Sequence, residues 1–195
     1  KAVGIYNNDK LIGVLDITSQ LVDTDIFQTE LLDSVFDEKQ KNIYISIADP
    51  AAILKISNTL EKFKVLEKKN FDDSVNVVSK IFFDNQRNSL IYATTPDANI
   101  YEYPDKLICS LPGKFVQDII KVKDDYYILV SSNSIIYKIA KSAQQDKFEA
   151  TEFFKAPDKN LTVLAADAEN VYAGAKNKAY LYKIPINNSS ATKII

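Results

Sequence analysis

Histidine is absent from all 195 residues of the chain. That excludes Ser-His-Asp and Cys-His nucleophilic machinery, His-ligated zinc and the commonest general base near neutral pH. A single cysteine, Cys109, excludes an internal disulfide and any two-cysteine metal site. It lies in the apolar run Leu107-Ile108-Cys109-Ser110-Leu111 and reads as a buried structural thiol. No GxxxxGK[ST] phosphate loop occurs. No run of about 18 apolar residues offers a membrane-spanning helix. The 24 basic and 26 acidic residues are interspersed, with a net charge of −2, so a basic face for nucleic acid is not expected. Methionine is also missing and the first residue is Lys1, which suggests a processed or shortened chain, with a cleaved signal peptide as one route.

What is present is a repeat. A phrase of the type aliphatic–Tyr–Lys–Ile recurs as Ile53-Leu54-Lys55-Ile56, Ile100-Tyr101-Glu102-Tyr103, Ile136-Tyr137-Lys138-Ile139 and Leu181-Tyr182-Lys183-Ile184, with a partial copy at Gly4-Ile5-Tyr6-Asn7. The full copies lie 47, 36 and 45 residues apart, close to the period of propeller blades. Each follows a second phrase: Ile43-Tyr44-Ile45-Ser46, Ile91-Tyr92-Ala93-Thr94, Ile128-Leu129-Val130-Ser131 and Val171-Tyr172-Ala173-Gly174. Both phrases are rich in residues that suit a pleated, half-buried surface. Between them lie turn formers at Asp49-Pro50, Pro96-Asp97-Ala98-Asn99, Ser132-Asn133-Ser134 and Lys176-Asn177-Lys178. The two phrases are therefore strands B and C of a blade.

Apolar stretches upstream of each B strand supply strand A, at Leu32–Phe36, Val78–Phe83, Val116–Val122 and Leu161–Ala166. Strand D follows at Phe63–Leu66, Leu107–Leu111, Phe148–Phe153 and Ala191–Ile195. The expected fold is an all-β propeller of four-stranded antiparallel blades in one domain over residues 1–195. Residues 1–27 form a partial blade, with Val3–Tyr6 as C and Leu11–Ile17 as D, and blades follow at 28–69, 70–114, 115–157 and 158–195. Half a blade plus four leaves the ring incomplete, and the missing strands are expected upstream or from a partner, since a closed propeller hides its edges. A short helix over Asp23–Asp37 competes, with Ile26, Leu31, Leu32 and Val35 on one face, but the repeat register favours strand. The tyrosines that recur in B strands (Tyr44, Tyr92, Tyr172) and C strands (Tyr101, Tyr137, Tyr182) read first as blade-to-blade packing, with ligand stacking as the lesser reading.

The run Ile91-Tyr92-Ala93-Thr94-Thr95-Pro96-Asp97-Ala98-Asn99-Ile100-Tyr101-Glu102-Tyr103 resembles blades of the NHL-like, PQQ-like and WD-repeat-like propellers, as does Ala173-Gly174-Ala175 followed by Tyr180-Leu181-Tyr182-Lys183-Ile184. No subfamily signature accompanies the resemblance. Without Trp there is neither the Trp-Asp dipeptide of WD repeats nor the docking motif of quinoproteins, and the four glycines, none adjacent, lack the kelch mark. The sialidase-like box needs a Trp as well. The resemblance implies an exported bacterial protein of binding or assembly function, hence a periplasmic or secreted location.

Carboxylate chemistry survives the missing histidine. Calcium-dependent hydrolases of the lactonase type need Asp, Asn and Glu converging on the central channel as oxygen ligands. Asp33, Asp72, Asp73, Asp118 and Asn160 are the candidates, and each is equally a turn or strand-end residue. Asp124-Asp125 before Tyr126-Tyr127 reads as an ordinary turn, and Asn160-Leu161-Thr162 and Asn188-Ser189-Ser190 match the glycosylation pattern. Two functions remain. The first is a non-catalytic scaffold that binds another protein and needs no cofactor, its contacts made by the B-to-C turns and D-to-A connections, with Asp49, Pro96, Asp97, Asn133 and Asn177 as the candidate contact residues. The second is a channel site for calcium or a small molecule, with or without hydrolysis.

Overall fold

The computed structural model describes residues 2–7, 10–16, 30–48, 50–59, 62–142, 147–157, 160–176, 179–187, 190 and 192–194. All regular structure among them is strand, so the described residues contain no helix long and apolar enough to cross a membrane. An antiparallel hairpin comes first, β1 (Ala2–Asn7) with β2 (Lys10–Asp16), and forms its own two-stranded sheet. Among the described residues it pairs with no strand of the last blade. Blade 1 is β3 (Glu30–Asp37), β4 (Asn42–Ala48), β5 (Ala52–Thr59) and β6 (Lys62–Asn70). Blade 2 is β7 (Val77–Asp84), β8 (Ser89–Thr95), β9 (Ala98–Glu102) and β10 (Lys106–Leu111). Blade 3 is β11 (Val116–Val122), β12 (Asp125–Val130), β13 (Ile135–Lys141) and β14 (Phe148–Lys155). Blade 4 is β15 (Leu161–Ala166), β16 (Asn170–Ala175), β17 (Tyr180–Pro185) and β18 (Thr192–Lys193).

Each blade is the meander expected of strands A to D. One pairing was not expected. Ala48 of β4 pairs with Val77 of β7, which joins blades 1 and 2 into one hydrogen-bonded sheet. Residues 30–37 of the helix alternative are strand, and residues 23–29 lie outside the described residues. The expected last strand, Ala191–Ile195, is described as strand at Thr192–Lys193.

The sequence places the B strands centrally because their residues tolerate burial on both faces. The central strands β4, β8 and β12 are buried almost without interruption, as expected where both sheet faces are covered. The outer strands β10 and β14 are largely exposed. Successive blades stack face on face. Tyr44 and Ile53 of blade 1 pack on Ile81, Phe83, Leu90 and Tyr92 of blade 2, with the Tyr44 and Phe83 rings stacked at 5.7 Å. Ile91, Ala93 and Ile100 of blade 2 meet Tyr126, Ile128, Tyr137 and Ile139 of blade 3. Tyr127, Leu129 and Ile136 of blade 3 meet Leu164, Val171, Tyr182 and Ile184 of blade 4. Each such buried side chain stabilises the stack by roughly 1.5–3 kcal/mol.

The tyrosines divide. Tyr44, Tyr92, Tyr137 and Tyr182 are core residues of these joints, and half-buried Tyr101 stacks on Tyr92 at 5.2 Å. Tyr172 lies on the far face of blade 4, its hydroxyl donating to Asp167 Oδ2 at 2.8 Å. Cys109 is half-buried and packs against the joint between blades 2 and 3, and burial pushes its thiol up to about 12.

Candidate functional site

The first strand of every blade carries a β-bulge at the same place. The ladder register slips between Leu31 and Asp33, between Val78 and Lys80, between Val116 and Asp118, and between Leu161 and Val163. A bulge twists the strand and leaves backbone groups unpaired. Here it brings Asp33, Lys80, Asp118 and Val163 to equivalent positions on neighbouring inner strands. Asp33 Oδ1 accepts from the amide of Ser34 at 3.0 Å, and its Oδ2 accepts from the amide of Ile81 in blade 2 at 3.1 Å. Asp118 repeats the arrangement with Ile119 at 3.0 Å and with Leu164 of blade 4 at 2.7 Å. Two carboxylates thus cap four bulge amides, one in each blade. Between them, Lys80 Nζ sits 3.2 Å from Asp33 Oδ2 and 3.4 Å from Asp118 Oδ1. One ammonium therefore ties three consecutive inner strands together.

Two of the five candidate metal ligands belong to this arrangement. Asp33 and Asp118 do converge on the inner strands, but Lys80 supplies the cation between them, and a calcium ion would have to displace it. Asp72, Asp73 and Asn160 lie instead on the D-to-A connections. Asp72 accepts from the amide of Ser74 at 2.9 Å and from its hydroxyl; these bonds hold its carboxyl below the usual range. The amide of Asn160 donates to Ser134 Oγ at 2.9 Å. Among the described residues no three Asp, Glu, His or Cys side chains form a group able to hold a metal ion.

At the opposite end of the inner strands, a second aspartate recurs before the A-to-B turn. Asp37 Oδ1 accepts from the amides of Lys39 and Gln40, Asp84 Oδ1 from those of Gln86 and Arg87, and Asp167 Oδ1 from those of Glu169 and Asn170. The bonds from Glu169, Tyr172 and Asn170 bring the Asp167 carboxyl down to about 2. The blades differ in how they treat the other oxygen. Asp84 Oδ2 receives Lys121 Nζ at 2.7 Å and the Tyr126 hydroxyl at 2.5 Å, both from blade 3, in a pair where Asp84 is 1% and Lys121 10% exposed. Burial works against the charge on Asp84, but the bonds from Lys121 and Tyr126 outweigh it and its pKa is lowered. Asp37 Oδ2 is buried without a hydrogen-bond partner. The pairing register puts Phe83 and Leu90 of blade 2 where blade 3 has Lys121 and Tyr126.

The B-to-C turns and D-to-A connections do lie together, on one face, laced by backbone bonds. Phe71 N donates to Ala51 O, Asn76 N to Thr95 O, Ser131 N to Phe115 O and Ala156 N to Ser134 O. Of the candidate contact residues, Pro96 and Asp97 are exposed on this face. Asn133 is used internally, its Nδ2 donating to Pro112 O at 2.9 Å and its Oδ1 accepting from Ile135 N at 3.1 Å. Asp49 and Asn177 lie outside the described residues. Sequence reasoning missed Phe115, which is 38% exposed on the same face. Beside it Gly113, at φ 142°, lets the chain run so close to blade 3 that a Cβ would fall 2.3 Å from Val130 Cγ1.

Lys80 and the capping role of the aspartates were also missed. Their equivalent positions, though not their partners, were available as a seven-residue repeat over the inner strands: Leu31–Asp37, Val78–Asp84, Val116–Val122 and Leu161–Asp167 share an aliphatic first position and carry Asp, Lys, Asp and Val third.

No protein-family model matches the sequence, and no curated protein matches it either. Solved structures do. The fold is similar to the crystal structure of a functionally unknown protein from Desulfotomaculum acetoxidans DSM 771, with a TM-score of 0.63 and 12% identity over 85% of this chain and 55% of that one. It is equally similar to the β-propeller domain of Cps50 (Swd1) from Myceliophteria thermophila, with a TM-score of 0.63 and 13% identity over 86% of this chain and 61% of that one. This chain thus spans a little over half the length of either structure. At that identity the likeness shows the fold, a β-propeller of repeated four-stranded blades.

Proposed function

We propose that this propeller is a non-catalytic scaffold that binds another protein through the face made by its B-to-C turns and D-to-A connections. The observation that carries this is the presentation of Pro96, Asp97 and Phe115 on a face whose turns and connections are laced together by backbone hydrogen bonds. A rigid platform of that kind loses little conformational entropy when a partner docks, and an exposed aromatic is a common centre of interface energy. The inner-strand carboxylates support the same reading, since Asp33 and Asp118 already serve backbone amides and Lys80. The location proposed is periplasmic or extracellular, on the resemblance of the blade phrases to exported propellers.

The test is affinity capture from the native host with the unsubstituted chain and with a Pro96→Ala, Asp97→Arg, Phe115→Asp triple variant. One dominant protein captured by the first and lost by the second, at unchanged melting temperature, supports the scaffold. Equal capture by both removes the loop face as the binding surface.

A further inference from the structure

The charges on the loop face are sorted by blade. Among the described residues, those exposed over blades 1 and 2 are Glu30 at the start of β3, Asp72 and Asp73 between β6 and β7, and Asp97 between β8 and β9. Lys69, near the end of β6, is taken up by Asp105 and lies over the Phe71 ring. Over blades 3 and 4 the exposed charges are Lys114 between β10 and β11, Lys155 at the end of β14, and Lys176 after β16. Asp49, Asp158, Lys159 and Lys178 lie outside the described residues. Carboxylates thus stand on one side of the joint between blades 2 and 3, and ammonium groups on the other. An exposed apolar residue flanks the dividing line on each side, Pro96 next to Asp97 and Phe115 next to Lys114.

We propose that a second copy of this chain docks on this face, the two copies related by a two-fold axis along the joint between blades 2 and 3. A face whose halves carry opposite charge is complementary to itself when turned over about its dividing line, which is what an isologous contact requires. The order of residues round the arc then sets Pro96 and Asp97 of each copy opposite Phe115 and Lys114 of the other. It sets the side with Asp72 and Asp73 opposite the side with Lys155 and Lys176. A partner of one sign of charge, such as a nucleic acid, is repelled by half of the face. The inference rests on the reading of the loop face as a protein-binding surface and names a protein that this surface takes.

Sedimentation equilibrium of the full chain is expected to show a dimer whose dissociation constant rises about tenfold or more from low to high salt, because exposed charge pairs are screened. Two variants reverse one half of the face each: Asp73→Lys with Asp97→Lys, and Lys114→Glu with Lys176→Glu, all at exposed positions. Each is expected to be a monomer of unchanged melting temperature, since it meets its own copy with one sign of charge. Mixed, the two are expected to form a heterodimer. The proposal is overturned if the chain is monomeric throughout the concentration series, if its dimer ignores salt, if either variant still dimerises, or if mixing restores nothing. Association through the sheet edges would persist in both variants and overturn it in that way. A monomeric chain whose partner capture is still lost in the Pro96→Ala, Asp97→Arg, Phe115→Asp variant would sink the dimer and leave the scaffold standing. A charge-dependent dimer that captures no other protein would do the reverse.

Discussion

Asp118 Oδ2 accepts a hydrogen bond of 2.7 Å from the backbone amide of Leu164, which belongs to the next blade. The bond exists because the bulge before Asp118 turns its carboxylate across the blade joint, while the bulge before Val163 leaves the Leu164 amide in need of an acceptor. The same relation joins Asp33 to Ile81, while at the joint between blades 2 and 3 Lys80 stands in that position and Ile119 is capped by its own Asp118.

Removing either clamp should be costly. Asp118→Ala strips the acceptor from Ile119 and Leu164 and one counter-charge from Lys80. A loss of about 2–4 kcal/mol is expected from leaving two amides unsatisfied, measurable by urea unfolding. Val163→Asp, the converse change, should alter stability by less than about 0.5 kcal/mol, since Val163 is 52% exposed. Equal effects from the two substitutions would defeat the clamp assignment.

The two turn aspartates should behave differently. Asp84→Asn leaves Lys121 buried without its counter-ion and should cost about 3–5 kcal/mol. Asp37→Asn removes a charge whose Oδ2 has no partner and should cost less than about 1 kcal/mol. Acid sensitivity should follow the same division. The folded pKa of Asp84 lies below its ordinary value of 3.8, so its contribution is fully present above that value and disappears as pH falls through the lowered one. Unfolding measured between about pH 5 and pH 2 should therefore be less steep in Asp84→Asn than in the unsubstituted chain.

Tyr137 and Tyr182 are packing residues, and replacing either with Ala should cost roughly 3–5 kcal/mol. A variant that kept its melting temperature but lost partner capture would show the packing assignment to be wrong.

Tyr127 makes the opposite case. Its hydroxyl is buried with no hydrogen-bond partner, while its ring lies 4.9 Å from that of Phe153. Tyr127→Phe keeps the ring contact and removes the orphan group, so calorimetry should show unchanged or higher stability, by up to about 1–3 kcal/mol. A clear loss would reveal a partner for that hydroxyl.

Calcium at millimolar concentration should leave the melting temperature unchanged, because a cation between Asp33 and Asp118 must first displace Lys80. A ligand that binds only the folded state would raise it. An upward shift would support the calcium-dependent channel reading.

The blade grammar was legible in the sequence for a local reason. Strand phrases such as Ile43–Ser46 and Ile136–Ile139, and the turn formers between B and C strands, report the backbone conformation of the residues that carry them. Four blades, their strand order and the packing role of Tyr137 and Tyr182 follow from that periodicity, and the structure has all of them. The loop face was legible in outline, through Pro96 and Asp97, because turn residues announce where the chain reverses. Tertiary structure alone decided what the charged residues do. Asp33 and Asp118 look in sequence like channel ligands, yet they bind amides 48 and 46 residues away. Whether a carboxylate meets a metal, a lysine or an N–H depends on a bulge that slips the register by one residue and on which blade stacks next. Neither is written in the local sequence. That is also why Asp37 and Asp84, alike in their turns, differ in fate: each second oxygen meets whatever the next blade presents.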